Sequence, residues 1–383
     1  MDFALTDEQV MIRDAARKFA ETELAPQAAA LEEPRNRPLL LANLKRLAEL
    51  GFMGLDVSAA YGGSEAGAVA FSLAITELAR GCASTAVTVS VTNMVAEVIQ
   101  ACGSEAQRRR FLPPLMSGEW PAGAFCLTEA EAGSDPAAMR LRAERQGDHY
   151  VLNGRKIYIT SAPYAGVFVV WGVTDPQAPK GKGISCFLVE AGTPGLVIGK
   201  EEEKMGQKGS ATTEVLFENC RVPAENLLGK ENEGYRIAVG ELAGGRIGIA
   251  SLALGVGLAA LDYARDYMLE RTQFGCRLAD FQGLQWMMVD SYTELEAARL
   301  LTLQAAWRKE RREPYAREAS MAKLFATERA VRACYVAQQM LGGAGYLKDH
   351  PVERFARDVR VTTIYEGTSE IQRLIVARHL FGR

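Results

Sequence analysis

Gln146-Gly147-Asp148-His149-Tyr150-Val151-Leu152-Asn153-Gly154-Arg155-Lys156-Ile157-Tyr158-Ile159-Thr160 is the stretch at which the chain changes character. Two β-rich runs, His149 to Leu152 and Lys156 to Thr160, stand between Gln146-Gly147-Asp148 and Asn153-Gly154, and both boundaries have the composition of hairpin-type breaks. Other short β-rich runs lie around them: Arg140 to Arg145, Val167 to Val173, Ile184 to Glu190 and Thr213 to Phe217. Strands this short and this closely spaced predict a small antiparallel barrel or sandwich over residues 123–232.

On both sides the period changes to that of helices. In residues 1–122, Thr6 and Gln9 have the spacing of a capping box ahead of Met11, Ala15 and Phe19, which recur four apart. Leu40, Leu44 and Leu47 make a second stripe ending at Gly51, a C-terminal cap. Ser104 and Gln107 repeat the box, and Pro113-Pro114 is expected to end that helix. Residues 233–383 carry long amphipathic stretches of the kind that form bundles. The fold class is therefore α+β, as an N-terminal helical domain, a middle β domain and a C-terminal helical bundle.

At 383 residues the chain is too long for one simple core and should divide into two or three domains. A net charge of −3 gives no case for nucleic acid or an anionic membrane as partner. Asp2, Asp7 and Glu8 at the start are unlike a secretory signal, and no run of about 18 apolar residues suggests a membrane span. The seven cysteines are odd in number, widely spaced and without Cys-x-x-Cys, which reads as reduced thiols in a cytoplasmic protein. An organelle after removal of an import peptide is the alternative.

Several chemistries recede. Gly255-Val256-Gly257-Leu258-Ala259-Ala260 matches a loose dinucleotide fingerprint, but it lies inside a helical pattern rather than after a strand. Small residues for close helix contact are the better reading. His149, His350 and His379 are far apart, so no metal site is expected, and neither a phosphate loop nor a Gly-x-Ser-x-Gly elbow occurs.

The run with most chemistry is Ile364-Tyr365-Glu366-Gly367-Thr368-Ser369-Glu370-Ile371-Gln372. Ser369 and Gln372 have capping-box spacing, which would place Glu366 just outside a helix, on a bend that Gly367 keeps free of a Cβ. Such a carboxylate is either a general base or a solvated acid favouring the helix N-terminus.

This run resembles the C-terminal signature of the acyl-CoA dehydrogenases. Four further segments match in that family's order: Leu127-Thr128-Glu129 through Ala132-Gly133-Ser134-Asp135; Asn153 through Thr160; Gly244-Gly245-Arg246-Ile247-Gly248-Ile249-Ala250; and Arg271-Thr272-Gln273-Phe274-Gly275 with Gln339-Met340-Leu341-Gly342-Gly343. The likeness covers essentially the whole chain and is nearest to the short- and medium-chain, butyryl-CoA dehydrogenase-like branch.

The resemblance implies an FAD-dependent α,β-dehydrogenation of short- to medium-chain acyl-CoA, with electrons passed to an electron-transferring flavoprotein. An oxidase using oxygen, or a flavin- or CoA-binding protein of the same fold, are the alternatives. It implies Glu366 as the base. One branch carries its base just before the arginine of the Gly-Arg-Ile motif, where this chain has Gly245. Arg246, Ser134 and Gly367 would contact substrate, Arg246 having a plain helix ion pair as its alternative.

FAD would be held by Leu127, Thr128, Ser134, Tyr158, Thr160, Thr368 and Glu370. Turn work for Thr128 and Ser134, and a core role for Tyr158, are the alternatives. Tyr158 and Thr160 lie two apart on a strand, hence on one face. Arg271, Phe274, Gln282, Gln339, Gly342 and Gly343 would reach the FAD of a neighbouring subunit, which makes a homotetramer, a dimer of dimers, the expected assembly. The chain departs from the family at Ala130 and Glu131, at Tyr158 in place of a tryptophan, and at Ala243 in place of an aspartate near CoA.

Overall fold

A computed structural model describes residues 4–382; Asp2 lies outside them. Helix α1 (Asp7–Phe19) starts as expected, with the Gln9 N–H donating to Thr6 Oγ1 at 3.2 Å and the Thr6 N–H to Gln9 Oε1 at 3.1 Å. Its buried face is Ala16 and Phe19 with Ile12 partly covered, whereas Met11 is exposed. The expected Met11–Ala15–Phe19 row fails because each four-residue step drifts about 40° around the helix.

A π turn and the short helix α2 (Ala25–Gln27) lead to α3 (Arg37–Glu49), which buries Leu40, Leu44 and Leu47 fully. Gly51, at φ +82°, follows it as the expected cap. Helices α4 (Gly67–Gly81) and α5 (Ala83–Cys102) are buried almost throughout. In α6 (Glu105–Met116) the Ser104–Gln107 box forms, but Pro113-Pro114 lies inside the helix. A proline removes its own N–H and not its carbonyl, and the last turn closes through Ser117 N–H to Pro113 O at 2.9 Å.

The middle region is one eight-stranded sheet: β1 (Ala122–Cys126), β2 (Arg142–Gln146), β3 (His149–Thr160), β4 (Ala165–Val173), β5 (Ile184–Glu190), β6 (Leu196–Glu201), β7 (Thr212–Pro223) and β8 (Leu227–Leu228). The order is β6-β7-β3-β2-β4-β5-β8, with β1 added parallel on β4. The parallel β1–β4 pair, and a parallel contact between Arg142 of β2 and Val173 of β4, make the sheet mixed rather than wholly antiparallel. Gly147-Asp148 is the β2–β3 turn as expected. Asn153-Gly154 is not a turn: β3 runs through it with a bulge against β7, Gly154 taking φ +147°. A Cβ on Gly154 would lie 2.9 Å from the Leu141 backbone, so this glycine serves close approach inside a strand.

The chain returns to helix with α7 (Gly234–Glu270), the hairpin β9 (Thr272–Gln273) and β10 (Cys276–Arg277), α8 (Gln282–Glu310), α9 (Ala316–Leu341), α10 (Val352–Arg360) and α11 (Ser369–Phe381). Helix α7 is the central strut and contacts α4, α5, α8 and α9. Gly255 and Gly257 do the packing work expected of them: a Cβ on Gly255 would lie 2.1 Å from Thr76 O, and one on Gly257 3.2 Å from Ala330. One apolar core runs through both helical regions, a second lies between α5–α6 and the sheet, and a third within the sheet. No run of about 18 apolar residues was expected to suggest a membrane span; by length and composition alone, α5 and α7 are long and apolar enough to cross one. In both, 78% of the apolar window is buried inside the fold, which accounts for the composition. All seven cysteines are free thiols.

Candidate active site

The loop between α10 and α11 carries Glu366 at φ +57° and Gly367 at φ +90°. Left-handed backbone at a glutamate is uncommon and costs roughly 1–3 kcal/mol, so its surroundings must hold it. The helix cap is Thr368, whose Oγ1 accepts from the Ile371 N–H at 3.4 Å; Ser369 is already the first helical residue, so the expected Ser369–Gln372 box does not form. The buried Gln372 side chain turns back instead, donating to Glu366 O at 3.2 Å and Gly367 O at 2.9 Å. Lys323 of α9, fully buried, donates to Tyr365 O at 2.8 Å and Gly367 O at 2.5 Å. All three carbonyls from 365 to 367 are thus taken. Among the described residues, the N–H groups of Glu366 and Gly367 meet no acceptor.

Oε2 of Glu366 is sealed from solvent and has no hydrogen-bond partner. An ideal Cβ built on Gly245 of α7 would lie 2.6 Å from that oxygen and 2.8 Å from Met94 Sδ of α5. Positions 245 and 366 therefore point at the same space, and only one of them carries an acid. Arg246, the next residue on α7, is buried, and its Nε also lacks a partner. Burial pushes the Glu366 carboxyl above the ordinary carboxylate range, while Lys323 and Arg246 oppose the shift. Burial lowers the Arg246 pKa, with Glu366 the main opposing charge.

A second group of residues meets at the end of β1 and the middle of β3. Lys156, fully buried, donates to Leu127 O at 3.0 Å and to Glu129 Oε1 at 2.8 Å. The Glu129 carboxylate also accepts from the Arg140 N–H at 2.6 Å and the Leu141 N–H at 3.0 Å, and Ile157 N–H reaches Thr128 O at 2.9 Å. Leu127 and Thr128 are thereby fastened beside Tyr158.

The simple strand alternation behind the same-face reading of Tyr158 and Thr160 is interrupted, because a bulge sets in after Lys156 and Tyr158 takes φ +59°. The outcome still keeps Tyr158 open at 65% exposure, Ile159 buried and Thr160 half-buried, so Tyr158 is no core aromatic. Close by, the buried hydroxyls of Ser161 and Thr213 have no partner. A strand with an open aromatic and orphaned polar atoms beside it fits the polar, planar FAD that the resemblance implies.

The remaining expected residues are spread. Ser134 is exposed on the turn after Leu127-Thr128-Glu129. Thr368 and Glu370 line a cleft of about 330 Å³ with Glu328, Arg360 and Ile364. Arg271, Phe274 and Gln282 are exposed at and just after the β9–β10 hairpin, and Gln339, Gly342 and Gly343 at the end of α9. Phe274, at 94% exposure and φ +54°, makes an edge contact with the Phe281 ring. Neither group hydrogen-bonds to the Glu366 loop, as far as the described residues go.

Sequence reading missed Lys323, Gln372, Lys156 and Glu129 as the framework of this region. A signal existed for Lys323: it falls on the stripe of Ala319, Ala326, Ala330, Ala333 and Ala337, a core position for which lysine is a poor choice.

Three family models match in order: "Acyl-CoA dehydrogenase, N-terminal domain" over residues 6–119, "middle domain" over 124–220 and "C-terminal domain" over 232–381. A short-chain specific acyl-CoA dehydrogenase of Clostridium acetobutylicum is 45% identical over 382 residues, covering 100% of both chains. Butyryl-CoA dehydrogenase from Megasphaera elsdenii has a TM-score of 0.94 at 39% identity, again with 100% of both chains covered. A chain from a structure of the electron-transferring flavoprotein of Acidaminococcus fermentans has a TM-score of 0.96 at 42% identity over 100% of both chains. With one fold, three consecutive domain matches and full-length relatives in agreement, this chain belongs to the acyl-CoA dehydrogenase family.

Proposed function

We propose that this protein is an FAD-dependent dehydrogenase of fatty acid oxidation. It converts short- to medium-chain acyl-CoA thioesters to trans-2-enoyl-CoA and passes electrons to an electron-transferring flavoprotein. The observation that carries this reading is Glu366, half-buried on a strained bend with its Oε2 sealed from solvent and unpartnered, at the place toward which Gly245 also points. The name of the Clostridium relative supports the short-chain substrate, and that of the Acidaminococcus structure supports the acceptor.

In this reading Glu366 takes the α-proton of the thioester. Its own N–H, free of any acceptor in the described structure, is available to donate to the thioester oxygen, where charge develops as the proton leaves. Arg246 places a fixed positive charge beside the carboxylate. FAD, when bound, supplies the acceptor for the β-hydride, chemistry that no side chain can perform. Leu127, Thr128, Tyr158, Thr160, Thr368 and Glu370 would hold it in one subunit, with Ser134 and Gly367 lining the substrate.

The exposed Arg271, Phe274 and Gln282, with Gln339, Gly342 and Gly343, would complete the FAD site of a second subunit in a homotetramer. Trp286, Val289 and Tyr292 form an open apolar row on α8, at 64%, 60% and 53% exposure, which suits burial between copies. Residues 1–122, 123–232 and 233–383 are the three domains in this scheme, and the cytoplasm is the compartment that suits seven free thiols.

The test is anaerobic mixing of the yellow holoenzyme with a series of acyl-CoAs, following bleaching of the flavin. Glu366→Gln should retain about one FAD per chain and still bind a non-oxidisable 3-thia acyl-CoA. It should lose flavin reduction by more than the ~10²–10⁴ of ordinary acid–base assistance, because an amide is a negligible base. Near-native reduction in that variant would place the base elsewhere. Hydrogen peroxide formed in air as fast as an artificial acceptor is reduced would favour the oxidase.

A further inference from the structure

We propose that Lys323 is a positioning residue for Glu366, holding the carbonyls on either side of it so that the strained bend presents its carboxylate and its N–H groups to the substrate. The inference rests on the reading of Glu366 as base.

Lys323 lies on the alanine stripe of α9, with no exposed surface, and among the described residues it meets no carboxylate oxygen. Burying an ammonium there costs free energy that a leucine would avoid, so stability alone does not explain it. Its two hydrogen bonds go to Tyr365 O and Gly367 O, the carbonyls directly before and after residue 366. Gln372, also fully buried, takes Glu366 O and shares Gly367 O. Four hydrogen bonds thus pull every carbonyl of the bend inward. A peptide plane fixed by its carbonyl has its N–H fixed the opposite way, which is why the N–H groups of Glu366 and Gly367 are left without a protein acceptor.

Lys323 also acts through its charge. The charged groups around it are Glu366 on the loop, Arg246 on α7 and Glu370 at the start of α11. The Tyr365 hydroxyl accepts from Gln207 Nε2 instead, at 3.2 Å. Burial draws the Lys323 ammonium down to about 7, and Glu366 is the strongest influence in the other direction. Reciprocally, Lys323 is the largest influence holding down the raised pKa of Glu366. Gln372 shares the geometric role but not the electrostatic one, and this difference makes the two separable.

The readout is proton abstraction by itself, measured on (methylthio)acetyl-CoA, which has α-hydrogens but sulfur at the β-position and so cannot complete the oxidation. Uptake of deuterium from D2O into its α-position is followed by mass spectrometry over a range of pH, using FAD-loaded enzyme. Lys323→Met should keep its FAD, lose exchange by about 100-fold from a misplaced carboxylate, and move the acid limb of the profile up by about one pH unit. The sign follows from losing a cation beside a carboxyl group. Gln372→Met should slow exchange by at least about tenfold and leave the acid limb in place, and it tests the clamp if Lys323→Met does not fold. Exchange within about threefold of the wild type in either variant, or an unmoved limb in Lys323→Met, overturns the assignment. Wild-type exchange in Glu366→Gln would instead show that the base itself was misassigned.

Discussion

Gly245→Ala tests the site through one methyl group. The added Cβ would lie 2.6 Å from Glu366 Oε2, 3.2 Å from Glu366 Cδ and 2.8 Å from Met94 Sδ, where ordinary contact begins at 3.4 Å. Met94 is an unbranched thioether and can swing away. The Glu366 side chain stands on a bend clamped by Lys323 and Gln372, so its carboxylate must retreat by roughly 0.8 Å by turning about its own bonds. A misplacement of about 1 Å costs on the order of 10²-fold in rate, and that is the expected fall in anaerobic flavin reduction by butyryl-CoA.

The helix itself gains from the change. Residue 245 lies well inside α7, where alanine is favoured over glycine by roughly 0.5–1 kcal/mol. Thermal unfolding should therefore be unchanged or slightly higher while reduction collapses, with FAD still bound. Stopped-flow reduction and calorimetry on one preparation read both quantities. Reduction within about threefold of the wild type would refute the convergence of positions 245 and 366. A joint loss of rate and of several degrees in Tm would refute the claim that the methyl acts on the carboxylate rather than on the core.

Because desolvation raises the Glu366 pKa, flavin reduction should be lost as pH falls through a value above the ordinary ~4.3 of a glutamate; a profile flat to that value would contradict the reading of Glu366 as base. Lys156→Met leaves the Glu129 carboxylate and Leu127 O without their buried donor, and should cost about 3–5 kcal/mol in unfolding experiments and loosen FAD. The double variant with Glu129→Gln should recover part of that stability, since the amide oxygen can still accept from the Arg140 and Leu141 N–H groups and carries no unpaired charge; no recovery would mean that the loss came from packing. Light scattering should give the mass of four chains, and Val289→Glu on the open face of α8 should reduce it. A monomer that still holds FAD tightly would contradict the shared site.

Much of this was legible along the chain, because it depends on residues near each other in sequence. The Thr6–Gln9 and Ser104–Gln107 caps, the Leu40–Leu44–Leu47 stripe, the glycine after α3 and the strand Ile184–Glu190 all follow from local hydrogen bonding and periodicity. So does the reading of Gly255 and Gly257 as helix contacts, since their surroundings have helical period. Glu366 beside Gly367, and glycine rather than acid at 245, could also be read directly. Tertiary structure alone decided that Asn153-Gly154 continues a strand, because pairing with β7 outweighs the local preference for a turn. It alone took Gln372 out of a capping box and set it on the carbonyls of the Glu366 bend. And it alone brought Lys323, Gly245, Arg246 and Met94 around one carboxylate from α9, α7 and α5. A cap is a contact across three residues, which spacing records. A buried charge and the peptide it holds lie more than forty residues apart here, and only the folded core brings them within a hydrogen bond of each other.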